Sequence, residues 1–391
     1  MDLDVSALCS ALRKTCDAGL LTTSELFSLL SAVALAAAQL QHSTRLELDR
    51  TVTQLLSAES RRREHDTVAT CILAKRGPLQ LVLAAMEACG EEKHVLENGA
   101  ACVANLAASS GECKAAIVGQ GGVRVLLGCV RDATSAVCSQ GCRALGNLCF
   151  GWGAQVEAAK ASVLAEGGCD LVVGAIRKHR DSASVLRWGA HAIRNLSVQN
   201  PRIQQALLVA DGLPALLDGQ RCHSEGERVV ETVFAALALL GKRDAACCSH
   251  HLQQQLPKDG FCLYAHVMTR HLRVPLVQHY ACLAIAYACA AHAANAGLAV
   301  EAKLLDSVEA ALLAHPTELE IQRWGCTALC AMLSGARQGD CAVAECRLRR
   351  LADVVQTSAN LHAAANGKTR TAVTTCLRQV MSLLNDQARP P

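Results

Sequence analysis

Cysteine and histidine are the residues of this chain with the most capacity for chemistry, 22 of one and 14 of the other. Their one dense cluster is Cys247-Cys248-Ser249-His250-His251. Adjacent ligands do not make a zinc site, which takes pairs separated by two or more residues and a second pair elsewhere. Cys222/His223 and Cys262/His266 could supply that pair, but neither has the spacing of a finger. Gly367-Lys368-Thr369 matches the end of a phosphate loop. The glycine that opens such a loop would fall at residue 362, a histidine, and no buried strand precedes it. Neither G-x-G-x-x-G nor G-x-S-x-G occurs, and acid–base work needs groups positioned in space rather than a supply of Cys and His. The expectation is a protein that is not an enzyme and uses no metal or cofactor.

The elements are more informative than the reactive residues. In the stretch 185–217, Val185, Leu186, Gly189, Ile193 and Leu196 fall at helical spacing. Pro201 opens a shorter helix, where its missing N–H costs nothing. Asp211-Gly212 breaks that helix, and a further apolar segment begins at Leu213. Such a unit cannot bury its apolar faces alone, and it recurs. An apolar start, a small residue four positions on and a marker ten positions on fit Val185/Gly189/Asn195. The same frame fits Val95/Gly99/Asn105, Val137/Gly141/Asn147, Val277/Ala281/Tyr287 and Ile321/Gly325/Ala331, and more loosely the stretch from Val229. Successive starts lie 42, 48, 44, 48 and 44 residues apart. An all-helical unit with a period in the forties points to an alpha solenoid.

The segments NGAACVANLA (98–107), QGCRALGNLC (140–149) and RWGAHAIRNLS (187–197) resemble the third helix of armadillo repeats. IVGQGGVRVLL (117–127), VLAEGGCDLVV (163–173) and LVADGLPALL (208–217) look like that family's second helix, its glycine turn and the start of its third helix. The resemblance is strong over about 95–217 and in register to about 335. It implies an all-α, right-handed alpha-alpha superhelix. The implied organisation is a degenerate repeat or cap over 1–66, armadillo repeats over 67–341, and a second degenerate repeat or cap over 342–391.

In that family the third helices line a concave surface, where an Asn at the marker position hydrogen-bonds the backbone of an extended peptide. Asn105, Asn147 and Asn195 match that position. An amide suits the task because it both donates and accepts. The same amides could instead bond a neighbouring repeat's backbone and hold the stack. Replacing Asn147 and Asn195 by Ala is then expected to separate the two roles. Loss of binding with folding intact assigns them to the partner, and equal loss assigns them to the stack. Import adaptors of this family place a Trp four residues before the Asn to clamp basic side chains. Ala101, Arg143 and His191 stand there instead, which argues against a basic cargo. Arg143, Arg187, His191, Arg194 and Arg323 lie along the implied groove, and arginines there favour an acidic or phosphorylated peptide. Arg187 and Arg323 each precede a Trp and are expected to cover its ring, leaving Arg143, His191 and Arg194 as candidate ligand contacts.

Composition agrees with closely stacked helices. Apolar residues make up 51% of the chain and aromatics only 3%, so the core must be built from Ala, Leu, Val and Cys. Most cysteines fall on apolar helix faces, where they act as small hydrophobes, so a reducing cytoplasmic or nuclear compartment is expected. Residues 1–17 carry Asp2, Asp4 and Asp17 and do not read as a secretory signal. A net charge of +3 gives no ground for a nucleic-acid or membrane partner. The Ala-rich stretch 281–297 is too short and too interrupted by His292 and Asn295 to span a bilayer. The expected function is a non-catalytic scaffold that binds a partner segment along the groove. The alternative is an assembly subunit of a larger cytoskeletal or ciliary complex, held through its convex face or ends.

Overall fold

The computed structural model describes residues 78–88, 93–241, 258–291, 293–338, 343–363 and 367–387. The expected helices near 2–18, 22–41 and 45–59, the charged corner at 61–66, most of the 243–260 insertion and the cysteine–histidine cluster at 247–251 lie outside the described residues. The chain divides into two compact units, 1–196 and 197–391, and the described residues of both form helices without strands.

The first unit contains α1 (Pro78–Ala88), α2 (Lys93–Ser109), α3 (Gly111–Gly119), α4 (Gly122–Arg131), α5 (Ser135–Leu148), α6 (Ala154–Ala165), α7 (Gly168–Lys178) and nearly all of α8 (Ala183–Ser197). The second contains α9 (Pro201–Val209), α10 (Gly212–Cys222), α11 (Glu227–Gly241), α12 (Lys258–Arg270), α13 (Pro275–Ala291), α14 (Ala293–Glu301), α15 (Leu304–Ala314), α16 (Leu319–Gln338), α17 (Glu345–Leu361) and α18 (Gly367–Gln387). The long helices α2, α5, α8, α11, α13 and α16 each begin two residues before the frame start read from sequence. The first residue of α18 falls 48 beyond that of α16, so the frame extends to Thr369 and adds one more long helix.

Each short helix meets the next at a corner residue in the left-handed region: Gly121 (φ +76°), Gly167 (φ +69°), Asp211 (φ +59°) and Lys303 (φ +62°). Glycine adopts this conformation without a Cβ clash, and Asp tolerates it. The glycine turn leads into a separate middle helix, not into the marker helix as the sequence reading has it: α4 ends at Arg131 before α5 starts at Ser135. The small residue at frame position four serves packing. A Cβ on Gly141 would lie 3.1 Å from the Val130 nitrogen and 3.2 Å from the Leu126 carbonyl oxygen, so α5 seats directly on the backbone of α4.

Pro275 opens α13, because its ring fits the first turn. α17 continues to Leu361, since Leu348, Leu351, Ala352, Val355 and Ser358 make a buried stripe that carries it past its polar residues. The corner between α10 and α11 is short, because α10 runs to Cys222. No single helix among the described residues is long and apolar enough to cross a membrane.

A periodic histidine, which the apolar frame does not reveal, joins the corners between repeats. His179 Nε2 lies 3.2 Å from the Asp132 carbonyl oxygen in the first unit. In the second, His271, His315 and His362 place Nε2 2.7, 2.7 and 2.8 Å from the carbonyls of Ser224, Leu272 and Pro316. Each follows or caps a middle helix and, with hydrogen on Nε2, donates to the equivalent corner one repeat earlier.

Candidate partner-binding face

The three markers of the first unit sit on α2, α5 and α8, and their amides are engaged in one repeating pattern. Asn147 Nδ2 donates to the Ala104 carbonyl at 2.9 Å, and Asn195 Nδ2 to the Gly146 carbonyl at 2.8 Å. In both cases the acceptor immediately precedes the previous marker. Gln379 on α18 repeats the bond to the Cys330 carbonyl at 3.1 Å, which makes it a marker one repeat beyond the last frame start read from sequence, Ile321. Asn105, 6% exposed, has a buried Nδ2 without a partner among the described residues.

The residue four before each marker completes the pattern. Arg143 Nη2 donates to Asn105 Oδ1 at 2.6 Å, and His191 Nε2 lies 3.2 Å from Asn147 Oδ1. The imidazole has room because Gly146 lacks a Cβ, which would collide with its ring. At Asn195 it is Arg194, its neighbour on α8, whose Nε approaches Oδ1 at 3.3 Å. All six residues singled out from sequence therefore meet on one strip, with Arg143, Asn147, His191 and Arg194 partly exposed and Asn105 and Asn195 buried.

Trp188, half-buried on α8, organises the charges. The Arg187 guanidinium lies 4.5 Å from its ring centroid and Arg143, from α5, lies 5.5 Å away. His191 meets the ring edge-on at 5.5 Å. Burial and then the guanidiniums of Arg194, Arg187 and Arg143 hold the His191 pKa at about 4, so the ring is neutral at pH 7. Arginine tolerates this setting because its delocalised charge is weakly hydrated and stacks on aromatic faces.

The second unit carries a different face. Arg323 covers Trp324 at 4.6 Å, Glu320 accepts from Trp324 Nε1 at 3.1 Å, and Tyr287 packs edge-on against Trp324 at 5.5 Å. His279 and Tyr280 stack at 4.8 Å. Among the described residues no three His, Cys, Asp or Glu side chains converge to hold a metal. Burial pushes the thiols of Cys102, Cys129, Cys149, Cys169, Cys282 and Cys289 up to about 12, leaving them protonated and inert at neutral pH.

No protein-family model matches the sequence, and no curated protein matches it. Solved structures do. An engineered protein aligns with a TM-score of 0.73 at 17% identity, over 97% of this chain and 86% of its own. A chain solved in work on a phosphorylation switch controlling the interaction between cadherin and beta-catenin aligns with a TM-score of 0.71 at 16% identity, over 98% and 67%. Computationally designed armadillo repeat proteins for modular peptide recognition align with a TM-score of 0.52 at 19% identity, over 66% of this chain and 99% of theirs.

Proposed function

We propose, from the armadillo-repeat fold that this chain shares with those structures, that it is a non-catalytic scaffold holding an extended segment of a partner protein along the third-helix face. The observation that carries the reading is the convergence of Arg143, Arg187 and Arg194 on a neutral His191 beside Trp188. Three guanidiniums around one half-exposed strip favour a carboxylate- or phosphate-bearing segment through forked hydrogen bonds. Repeats that are already stacked lower the ordering cost on the protein's side when such a segment lands.

The marker amides support the face indirectly. Asn147 and Asn195 already donate to the preceding helix, so they space the third helices, and the arginines and Trp188 meet the partner. Fluorescence anisotropy with a labelled twelve-residue phosphoserine peptide and its Lys-substituted counterpart tests this reading. The phosphopeptide should bind, the basic peptide should not, and Arg187→Gln with Arg194→Gln should weaken binding by about tenfold per guanidinium. Equal binding of both peptides, or no effect of the substitutions, would refute it. Asn147→Ala with Asn195→Ala should lower the melting temperature as well as the affinity, because each removes a hydrogen bond that ties one third helix to the one before it.

A second reading rests on the loop after α5. Phe150 and Trp152 are 57% and 67% exposed, in a chain with only three Trp and four Phe. Buried Lys114 anchors the loop by donating to the Asn147 carbonyl at 2.7 Å and to the Phe150 carbonyl. Gly151 and Gly153 turn it with φ of +97° and +119°. Two rings held outward on an anchored loop favour assembly through the ends of the helices.

A further inference from the structure

Three cysteines lie along the seam where α18 packs on α16. Cys326 and Cys330 are one turn apart on α16, on the same side. Cys326 and Cys376 are 0% exposed, whereas Cys330 is partly open to solvent. Gln379 sets the register of the two helices. Its Nε2 donates to the Cys330 carbonyl at 3.1 Å and to Ser334 Oγ at 2.6 Å. Cys376 lies one turn before Gln379 on the same side of α18, which sets its thiol against α16 within hydrogen-bond reach of Cys330.

The setting differs from that of the sealed core thiols. The hydrogen bond from Cys376 favours thiolate at Cys330, lowering its pKa, while Cys376 itself is pushed well up. An accessible sulfur with thiolate character reacts first with an oxidant, and a thiol behind it can resolve the product.

We propose that Cys330 and Cys376 form a peroxide-sensitive pair that closes into a disulfide and fastens the last described helix to the preceding third helix. The Cys330 thiolate attacks hydrogen peroxide, the O–O bond breaks, and a proton taken up releases water, leaving sulfenic acid at Cys330. The Cys376 sulfur then displaces the hydroxyl, which leaves as water with the Cys376 proton. Two thiols are oxidised by two electrons, and one peroxide is reduced to two waters.

The test uses the full reduced chain treated with one equivalent of hydrogen peroxide. Peptide mapping without reductant should find a Cys330–Cys376 crosslink in most molecules, and hydrogen exchange across α18 should slow. Cys376→Ser should stop at a dimedone-reactive sulfenic acid on Cys330, and Cys346→Ser should behave as the parent. Three results would overturn the proposal: Cys330 left as thiol while exposed Cys222, Cys262 and Cys346 oxidise, a crosslink to Cys376 that survives in Cys330→Ser, or a crosslink that leaves α18 exchange unchanged. The first reading needs only the parent protein, so failure of a variant to fold does not protect the idea.

Discussion

At the scale of single residues, buried polar atoms explain more of this protein than its reactive groups do. His191 titrates at about 4 in the folded chain, below its ordinary 6.5. The unfolded chain therefore binds more protons between those values. The neutral imidazole's contribution is complete above pH 6.5 and is lost as pH falls toward 4, a loss of up to about 3 kcal/mol. The melting temperature should drop over that window, and His191→Gln, whose amide can still donate to Asn147, should flatten the drop. An anion docked on the strip would raise the His191 pKa, so phosphopeptide binding should tighten from pH 7 to 5 in the parent and not in His191→Gln. A second buried amide shows what a repeat lacks. Gln322 Nε2 bonds the Leu312 and His315 carbonyls, and Ser358 Oγ donates to its Oε1 at 2.6 Å. Gln278 makes the same two bonds, to Met268 and His271, but its Oε1 is buried and unpartnered. Ser358 stands four residues before His362, and the position four before His315 is Ala311. Ala311→Ser should raise stability by about 1 kcal/mol in urea denaturation, and no gain would show that the two repeats differ in register there.

At the scale of elements, the frame read from apolar spacing located the long helices because one face of each is buried against its neighbours. The small residue at position four is a clearance requirement. Gly141→Ala should cost about 1–3 kcal/mol, since the new methyl meets backbone of α4 that cannot rotate away. Ala281 shows that the requirement is local to each helix pair, and the same substitution is already present there. The corner histidines, the buried Lys114 and the marker Gln379 were not legible. Polar residues carry no amphipathic signal of their own, and only the neighbouring carbonyls reveal why each is there. The strip itself was partly legible: its six residues and the cover of Arg187 over Trp188 were read from spacing, whereas the reach of Arg143 and His191 to the same ring was not.

At the scale of the whole molecule, the question is which surface meets a partner. Phe150→Ser with Trp152→Ser should leave melting within about 0.5 kcal/mol of the parent, because both side chains are exposed. If it abolishes association with the native partner while the arginine substitutions do not, the helix-end loop is the docking site and the groove reading fails. Repetition also bears on stability. A chain of stacked units distributes its core among neighbouring helices, which is why Ala, Val, Leu and small Cys suffice where a globular domain of this length would need larger side chains.

The amino-acid sequence alone determined the helical class, the spacing of the long helices and the line along which the marker residues fall, because burial of one helical face imposes a periodicity that survives in composition. Only the tertiary structure decided what those markers do. Whether an amide faces a partner or the carbonyl of the previous helix depends on the approach of two helices more than forty residues apart in the chain. That approach leaves no trace in the spacing of the residues themselves.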